Sequence, residues 1–375
     1  MSATTLFFIS SGIFLGWSLG ANHAANVFGT AVMSKMVRYR VAAIVAGIFV
    51  TLGAVFGGAG TTQTINQLGA VNALAGSFTV ALAVGVAVAW MTYLKLPVST
   101  SQAIVGGIIG WNLFTGSPTD TNAIVKIVST WVTSPLLAAF FAFVLFLLLE
   151  RTLKRARIHL LEIDAYTRAG LLIVGALASF ALGANNIANV MGLFVPASPF
   201  HDVTLGHGLT FSGTQQLFLI GGLAIAIGIY TYGQQVMVTV GSDLYRITPL
   251  SGLVVVLAES IVLFLFSSQT LEALLLRLHL PTIPLVPLSS TQAVIGAVVG
   301  VGMAKQGRPV NLRVLGKIAA GWVIAPLAAL LMTFISLFFV QNVFEQRVIA
   351  AQPAAAPLVA TAAAPAGLSG PFFAP

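Results

Sequence analysis

Long apolar runs separated by short polar or glycine-rich stretches make up most of the chain. VAAIVAGIFVTLGAVFGGAG (41–60) and LLAAFFAFVLFLLL (136–149) carry no polar face that could meet water. A helix apolar on all sides is buried or spans a membrane, and a crossing takes about 20 residues. The first part of the chain predicts spans near 5–33, 41–60, 78–95, 102–116 and 124–149. The fold class expected is an all-α integral membrane protein.

The pattern repeats. LGANHAANVFG (19–29) returns as LGANNIANVMG (182–192), LPVSTSQAIVGGIIG (96–110) as VPLSSTQAVIGAVVG (286–300), and WVTSPLLAA (131–139) as WVIAPLAAL (322–330). Three blocks recurring in one order make the chain two copies of one unit. The first transmembrane repeat is assigned to 1–150 and the second to 169–342, joined by a basic linker at 151–168, with an Ala/Pro-rich tail at 343–375 expected to be disordered. The offset between copies grows from 163 (182 − 19) to 190 (286 − 96), which places 27 additional residues in the second copy, expected around 196–213. Five crossings per copy is an odd number, so the second copy enters from the opposite side, and two inverted repeats with broken or re-entrant helices at the centre are predicted.

Composition agrees: 58% of residues are hydrophobic and 7% charged, against roughly 25% charged in soluble domains. The net charge of +8 is explained by basic loops on one face, so no nucleic-acid partner is inferred; membrane lipid is the expected surrounding. With the N-terminus outside, all of the 17 Lys and Arg except Lys126, Arg277 and Arg347 fall on the inner side. No Lys or Arg precedes Lys35, so a signal peptide is not expected at the start. The chain has no cysteine, which excludes disulfides and thiolate metal sites. The predicted location is the cytoplasmic membrane, with multiple passes.

Two repeated motifs can carry chemistry. Asn22 and Asn26, like Asn185 and Asn189, are spaced i, i+4 and share one helix face inside an apolar run, where an unpartnered amide is costly. In the other motif, Pro97 and Pro287 interrupt a helix. Ser99, Thr100, Ser101 and Gln102 follow the first break; Ser289, Ser290, Thr291 and Gln292 follow the second. Hydroxyl residues there cap a new helix, whose free N–H groups and positive dipole end favour an anion. The plainer alternative is a proline kink whose hydroxyls satisfy their own backbone. Glu259, in VVVLAESIVLFLF (254–266), is an acid well inside a span and therefore a candidate for ion coupling.

With these motifs in view, the sequence resembles the inorganic phosphate transporter family of phosphate permeases, including a sulfate-permease-like branch. GANHAANVFGT (20–30), GANNIANVMGL (183–193), PVSTSQ (97–102) and PLSSTQ (287–292) carry the likeness. The resemblance implies a cation-coupled importer whose phosphate is held by the asparagines and the paired Ser/Thr segments, with a homodimer as the usual assembly. The coupling ion would be H+ or Na+, with no other cofactor. Where the family motif has aspartate, this chain has His23 and Asn186. Loss of both carboxylates favours protons over sodium, with His23 as the titrating group; sodium, were it the ion, is placed near Asn22 and Asn185. The same loss suits sulfate, which has no proton to donate, so sulfate stands as the alternative to phosphate. A passive anion channel is a further alternative. An enzyme is not expected: H-E-x-x-H and an acid cluster that could hold a metal are absent.

Overall fold

A computed structural model describes residues 3–69, 71–94, 98–156, 159–204, 210–244, 248–305 and 312–350. The first copy forms α1 (Ala3–Met33), α2 (Tyr39–Gly57), α3 (Ala59–Leu68), α4 (Leu74–Tyr93), α5 (Thr100–Thr115) and α6 (Thr121–Ala156). The second forms α7 (Leu160–Met191), α8 (Gly213–Leu244), α9 (Pro249–Leu265), α10 (Gln269–Arg277), α11 (Ser290–Ala304) and α12 (Leu312–Asn342). The chain is nearly all helical; a small antiparallel pair, Val203–Thr204 with Thr210–Phe211, lies in the loop before α8.

Among the described residues, seven helices are long and apolar enough to cross a membrane, or eight if α9 and α10, bent by 62°, count as one span. The five segments expected in each copy include, beyond these, two helices shorter than a full span. The segment predicted as a span at 102–116 is the 16-residue α5, and α11 has 15 residues. At 1.5 Å per residue these reach about 24 Å, short of a hydrocarbon core of about 30 Å, so each crosses only together with its extended lead. The basic stretch expected to link the copies, 151–168, is made largely of helix ends. Residues 151–156 are the last turns of α6 and 160–168 the first turns of α7. Lys154 pairs with Glu150 one turn away, at 2.8 Å. Residues 157 and 158 lie outside the described residues.

The helices interleave. α1 packs along α8 and α2 along α7; α5 packs on α12 and α11 on α6. Glycines set the closest approaches. A Cβ on Gly20 would strike the Ile225 carbonyl oxygen, and one on Gly183 that of Val50. Likewise Gly106 lies against the carbonyl of Pro326, and Gly296 against that of Pro135. Each contact has a counterpart with the two copies exchanged. The glycine–carbonyl pairs give offsets of 163 (183 − 20), 175 (225 − 50) and 190 (296 − 106). The additional residues of the second copy thus fall in two places, 12 between Gly183 and Ile225 and 15 between Ile225 and Gly296. Only the first was expected. α1 and α7 lie side by side in opposite senses: Gly12 faces Met191 at the end of α7 and Phe194 just beyond it, whereas Phe28, late in α1, faces Gly175.

The expected disordered tail is corrected over its first part. Residues 343–350 are described and return to the fold. Val348 is 2% exposed, its carbonyl accepts from Trp111 Nε1 at 3.2 Å, and Ala350 N donates to Asn72 Oδ1 at 2.9 Å. The buried Val348 side chain and these two hydrogen bonds dock the returning segment, a contact that an Ala/Pro-rich composition conceals. Residues 351–375 lie outside the described residues.

Candidate functional site

α5 and α11 begin at the centre of the fold, each after an extended lead. Ser99 and Ser289 have extended backbone angles, and their hydroxyls accept from Gln102 N and Gln292 N, each at 3.2 Å. These serines are helix N-caps, as the sequence suggests. Pro287 is buried in the second lead; Pro97 lies outside the described residues. The leads are tied across the copies. Ser101 Oγ donates to Leu288 O at 2.6 Å, and Thr291 Oγ1 donates to Val98 O at 3.1 Å. Residues 98 and 101 correspond to 288 and 291, so the two bonds are one contact made twice. Two helix starts, with first-turn N–H groups that no helical carbonyl can reach, are thereby held together.

The asparagines complete the cluster. Asn189 Nδ2 donates to Ser101 Oγ at 2.8 Å, and Asn26 Nδ2 to Ser290 Oγ at 3.2 Å. Each copy's asparagine reaches the other copy's hydroxyl segment. Asn185 serves the backbone: its Oδ1 accepts from Leu288 N at 2.8 Å and its Nδ2 donates to Val286 O at 3.3 Å. Asn22 Nδ2 donates to Thr92 Oγ1 at 2.8 Å. Thr92 was missed from sequence; a lone hydroxyl at the end of an apolar helix gives only a faint signal. The lead carbonyls of Val98, Val286 and Leu288 were missed too, because backbone groups leave no mark in side-chain patterns.

Every predicted anion-contacting residue is buried, none more than 7% exposed. Four side-chain atoms of this cluster have no partner within the protein: Thr100 Oγ1, Gln102 Oε1, Gln292 Oε1 and Asn189 Oδ1. The last is fixed by its neighbours. Asn186 Nδ2 donates to Leu182 O at 3.2 Å, so Asn186 Oδ1 must accept from Asn189 Nδ2, also at 3.2 Å, which leaves Asn189 Oδ1 free. An unmet buried polar atom costs about 1–3 kcal/mol. Four of them around two helix starts suit a ligand that both accepts and donates hydrogen bonds.

His23 and Asn186 turn back to their own helices. His23 Nδ1 lies 3.1 Å from Leu19 O, in the same i, i−4 contact that Asn186 makes with Leu182. His23 is 1% exposed. Glu259 on α9 is fully buried, and neither carboxyl oxygen has a partner. The structure brings the hydroxyl segments and asparagines together; it joins neither His23 nor Glu259 to them by a hydrogen bond.

In comparison with known proteins, residues 19–333 and 273–369 match the Phosphate transporter family. A protein of Methanocaldococcus jannaschii named as a candidate phosphate permease is 29% identical, over 86% of this chain and 93% of its own length. One of Haemophilus influenzae with the same description is 24% identical over 89% and 96%. A solved structure titled as the sodium-dependent phosphate transporter superposes with a TM-score of 0.73, covering 91% of this chain and 99% of its own, at 23% identity. At that identity it shows the fold alone.

Proposed function

The chain belongs to the phosphate transporter family, and from that premise we propose that it is a cation-coupled carrier importing inorganic phosphate through the cluster between α5 and α11. It is a multi-pass protein of the cell membrane and a transporter, not an enzyme. The observation that carries the reading is the crossed pair of bonds, Asn189 to Ser101 and Asn26 to Ser290, around four unpartnered polar atoms. The phosphate oxygens would take the first-turn N–H groups and the hydroxyl of Thr100. A P–OH would donate to Asn189 Oδ1 or to a glutamine Oε1.

That last contact supports phosphate over sulfate. The missing motif carboxylates had seemed to leave no acceptor for a P–OH, but amide oxygens supply three. Sulfate has no proton to give them. Inversion of the two copies is supported by the opposite senses of α1 and α7 and by the exchange of every close glycine contact described above. Carrier action is supported by the burial of the cluster, which a continuous pore does not require. Proton coupling rests on His23 standing where the family motif has aspartate, with Glu259 as a second candidate.

The test is uptake of labelled phosphate by the purified protein in liposomes, with an inward proton or sodium gradient. Saturable uptake, inhibited by arsenate and not by sulfate, is expected, with the proton gradient the better drive. Equal inhibition by sulfate would remove the role given to the amide oxygens. Uptake indifferent to both gradients would make the protein a channel.

A further inference from the structure

The seam between α2 and α8 holds a second feature that phosphate transport does not use. At the start of α2, a cavity of about 600 Å³ is lined by Arg38, Tyr39, Arg40, Val41, Tyr230 and Gln234. Both arginines are exposed, and neither makes an ion pair among the described residues. The cavity is built by Tyr39. Its hydroxyl donates to the Ile229 carbonyl, with the Tyr230 carbonyl at 3.1 Å, and accepts from Gln234 N at 3.2 Å, all on α8. These bonds pin the start of α2 to α8.

A trench of about 520 Å³ continues from this cavity, sharing Tyr230 with it. Its walls are apolar: Ile44, Ile48 and Leu52 on α2, Leu223 and Ile227 on α8. They stand open to the outside, with Ile44 at 55%, Ile48 at 54% and Ile227 at 56% exposure. The trench follows α2 from residue 43 to residue 52, about 14 Å, which is the depth of one leaflet. Gly47 against Ala226 and Gly222 against Thr51 form its floor.

The seam is symmetric in its apolar part and not in its charge. Gly222 and Ala226 are the counterparts of Gly47 and Thr51, 175 residues on. By the same offset, Arg38 and Arg40 correspond to Gly213 and Gln215. One end of the seam is therefore basic, whereas at the other Gly213 N donates to the Asp202 carboxylate at 2.8 Å. A positive pocket at the head of a one-leaflet apolar trench is complementary to a single kind of molecule. We propose that the α2–α8 seam binds an anionic glycerophospholipid, its phosphate between Arg38 and Arg40 and an acyl chain along the trench. The basic end lies on the face expected to be cytoplasmic, where anionic headgroups add about 1 kcal/mol per nearby arginine. The occupant bridges the two copies at the crossing of α2 and α8. This inference does not rest on the transport reading, and its test measures no transport.

The experiment is native mass spectrometry of the full chain released from nanodiscs of phosphatidylglycerol or of phosphatidylcholine. Wild type is expected to retain one phosphatidylglycerol and to discriminate against phosphatidylcholine. The double variant Arg38→Ala/Arg40→Ala, changed only at exposed positions, is expected to lose that preference by about thirtyfold, two arginines contributing about five- to sixfold each. Ile227→Trp, which fills the trench and leaves both arginines, should weaken retention of either lipid. Equal retention of both lipids by wild type, or unchanged retention by the arginine variant, would overturn the proposal. Thermal unfolding in zwitterionic detergent separates a lipid from a free anion. Phosphatidylglycerol is expected to raise the midpoint in wild type and not in the arginine variant, and inorganic phosphate to give no shift that depends on Arg38 and Arg40. Such a shift from inorganic phosphate alone would make the pocket a soluble-anion site and defeat the lipid assignment.

Discussion

Asn189 Nδ2 donates to Ser101 Oγ at 2.8 Å, joining residues 88 positions apart that belong to different copies of the repeat. Asn26 reaches Ser290 in the reciprocal sense, at 3.2 Å. Neither copy contains a complete cluster. Each supplies the asparagine helix for one side and the capped helix start for the other, so movement between the copies must change the geometry of the cluster.

Two neighbouring asparagines should therefore fail differently. Asn189→Ala removes the donor to Ser101 and the free acceptor Oδ1. Apparent phosphate affinity is expected to fall about 10- to 100-fold, with a smaller loss of stability than for Asn185→Ala because only the Asn186 Oδ1 acceptor is left unpaired. Asn185→Ala instead leaves Leu288 N and Val286 O unpaired, at about 1–3 kcal/mol each, and should lower the unfolding temperature. Phosphate KM and detergent-solubilised Tm, measured on both variants, check the division. Equal effects of both on stability alone would remove Asn189 from the binding cluster.

The close helix contacts give a sharper stability test. A Cβ on Gly106 would collide with the Pro326 carbonyl oxygen, a backbone atom that cannot swing aside. Gly106→Ala is expected to destabilise by about 1–3 kcal/mol. Gly302, in α11, has nothing within 4 Å of its would-be Cβ. Gly302→Ala should be neutral or stabilise by up to about 1 kcal/mol through helix propensity. A lower Tm for Gly302→Ala than for Gly106→Ala would contradict the packing.

What the sequence reveals depends on whether the information is carried by side chains. The asparagine pairs and hydroxyl runs were legible because polar residues in apolar runs need partners, and repetition marked them as a set. Which residue bonds which was not legible: Asn185 and Asn189 look equivalent, yet one serves the backbone and the other a hydroxyl. The segment read at 102–116 is a helix, Thr100–Thr115, but its short length and extended lead were not legible, because hydropathy cannot tell an apolar extended lead from helix. The charged residues around 151–168, read as a linker, lie largely on helix ends beyond the apolar region. Val348 was lost in a biased tail, since one buried valine does not alter composition.

The return of the tail can be tested directly. Val348→Asp puts a charge where a 2% exposed side chain packs, beside the Val348 carbonyl that holds Trp111. The segment should release, Trp111 emission should shift to longer wavelength, and the protein should lose about 2 kcal/mol or more. An unchanged spectrum would mean that residues 343–350 do not dock in solution.

Sidedness is accessible because the chain has no cysteine, so any single introduced cysteine reports alone. Asp120→Cys, in the turn between α5 and α6, is expected to be labelled by an impermeant thiol reagent in intact cells. Arg155→Cys, at the end of α6, is expected to be protected until the cells are opened. α6 has 36 residues and separates the two positions by more than a membrane thickness. Labelling of both positions in intact cells would break the orientation read from the basic residues.

Position 23 decides the coupling reading. His23 and Asn186 make the same backbone contact, to Leu19 O and Leu182 O, so an amide already fills this role in the second copy. His23→Asn should therefore keep the local structure while removing the one imidazole of the motif. If His23 carries the coupled proton, the variant should still bind phosphate but lose most of the stimulation by an inward proton gradient, because an amide does not titrate. His23→Asp restores the carboxylate of the family motif and should shift the drive toward sodium. His23→Ala lacks the backbone contact and serves as the control for structure: a defect shared by His23→Ala and absent from His23→Asn is structural. The measurement is initial phosphate uptake in liposomes under each gradient, at matched membrane potential. Full proton stimulation in His23→Asn would exclude His23 as the coupling group and leave the buried carboxyl of Glu259 to be tested next, by Glu259→Gln in the same assay.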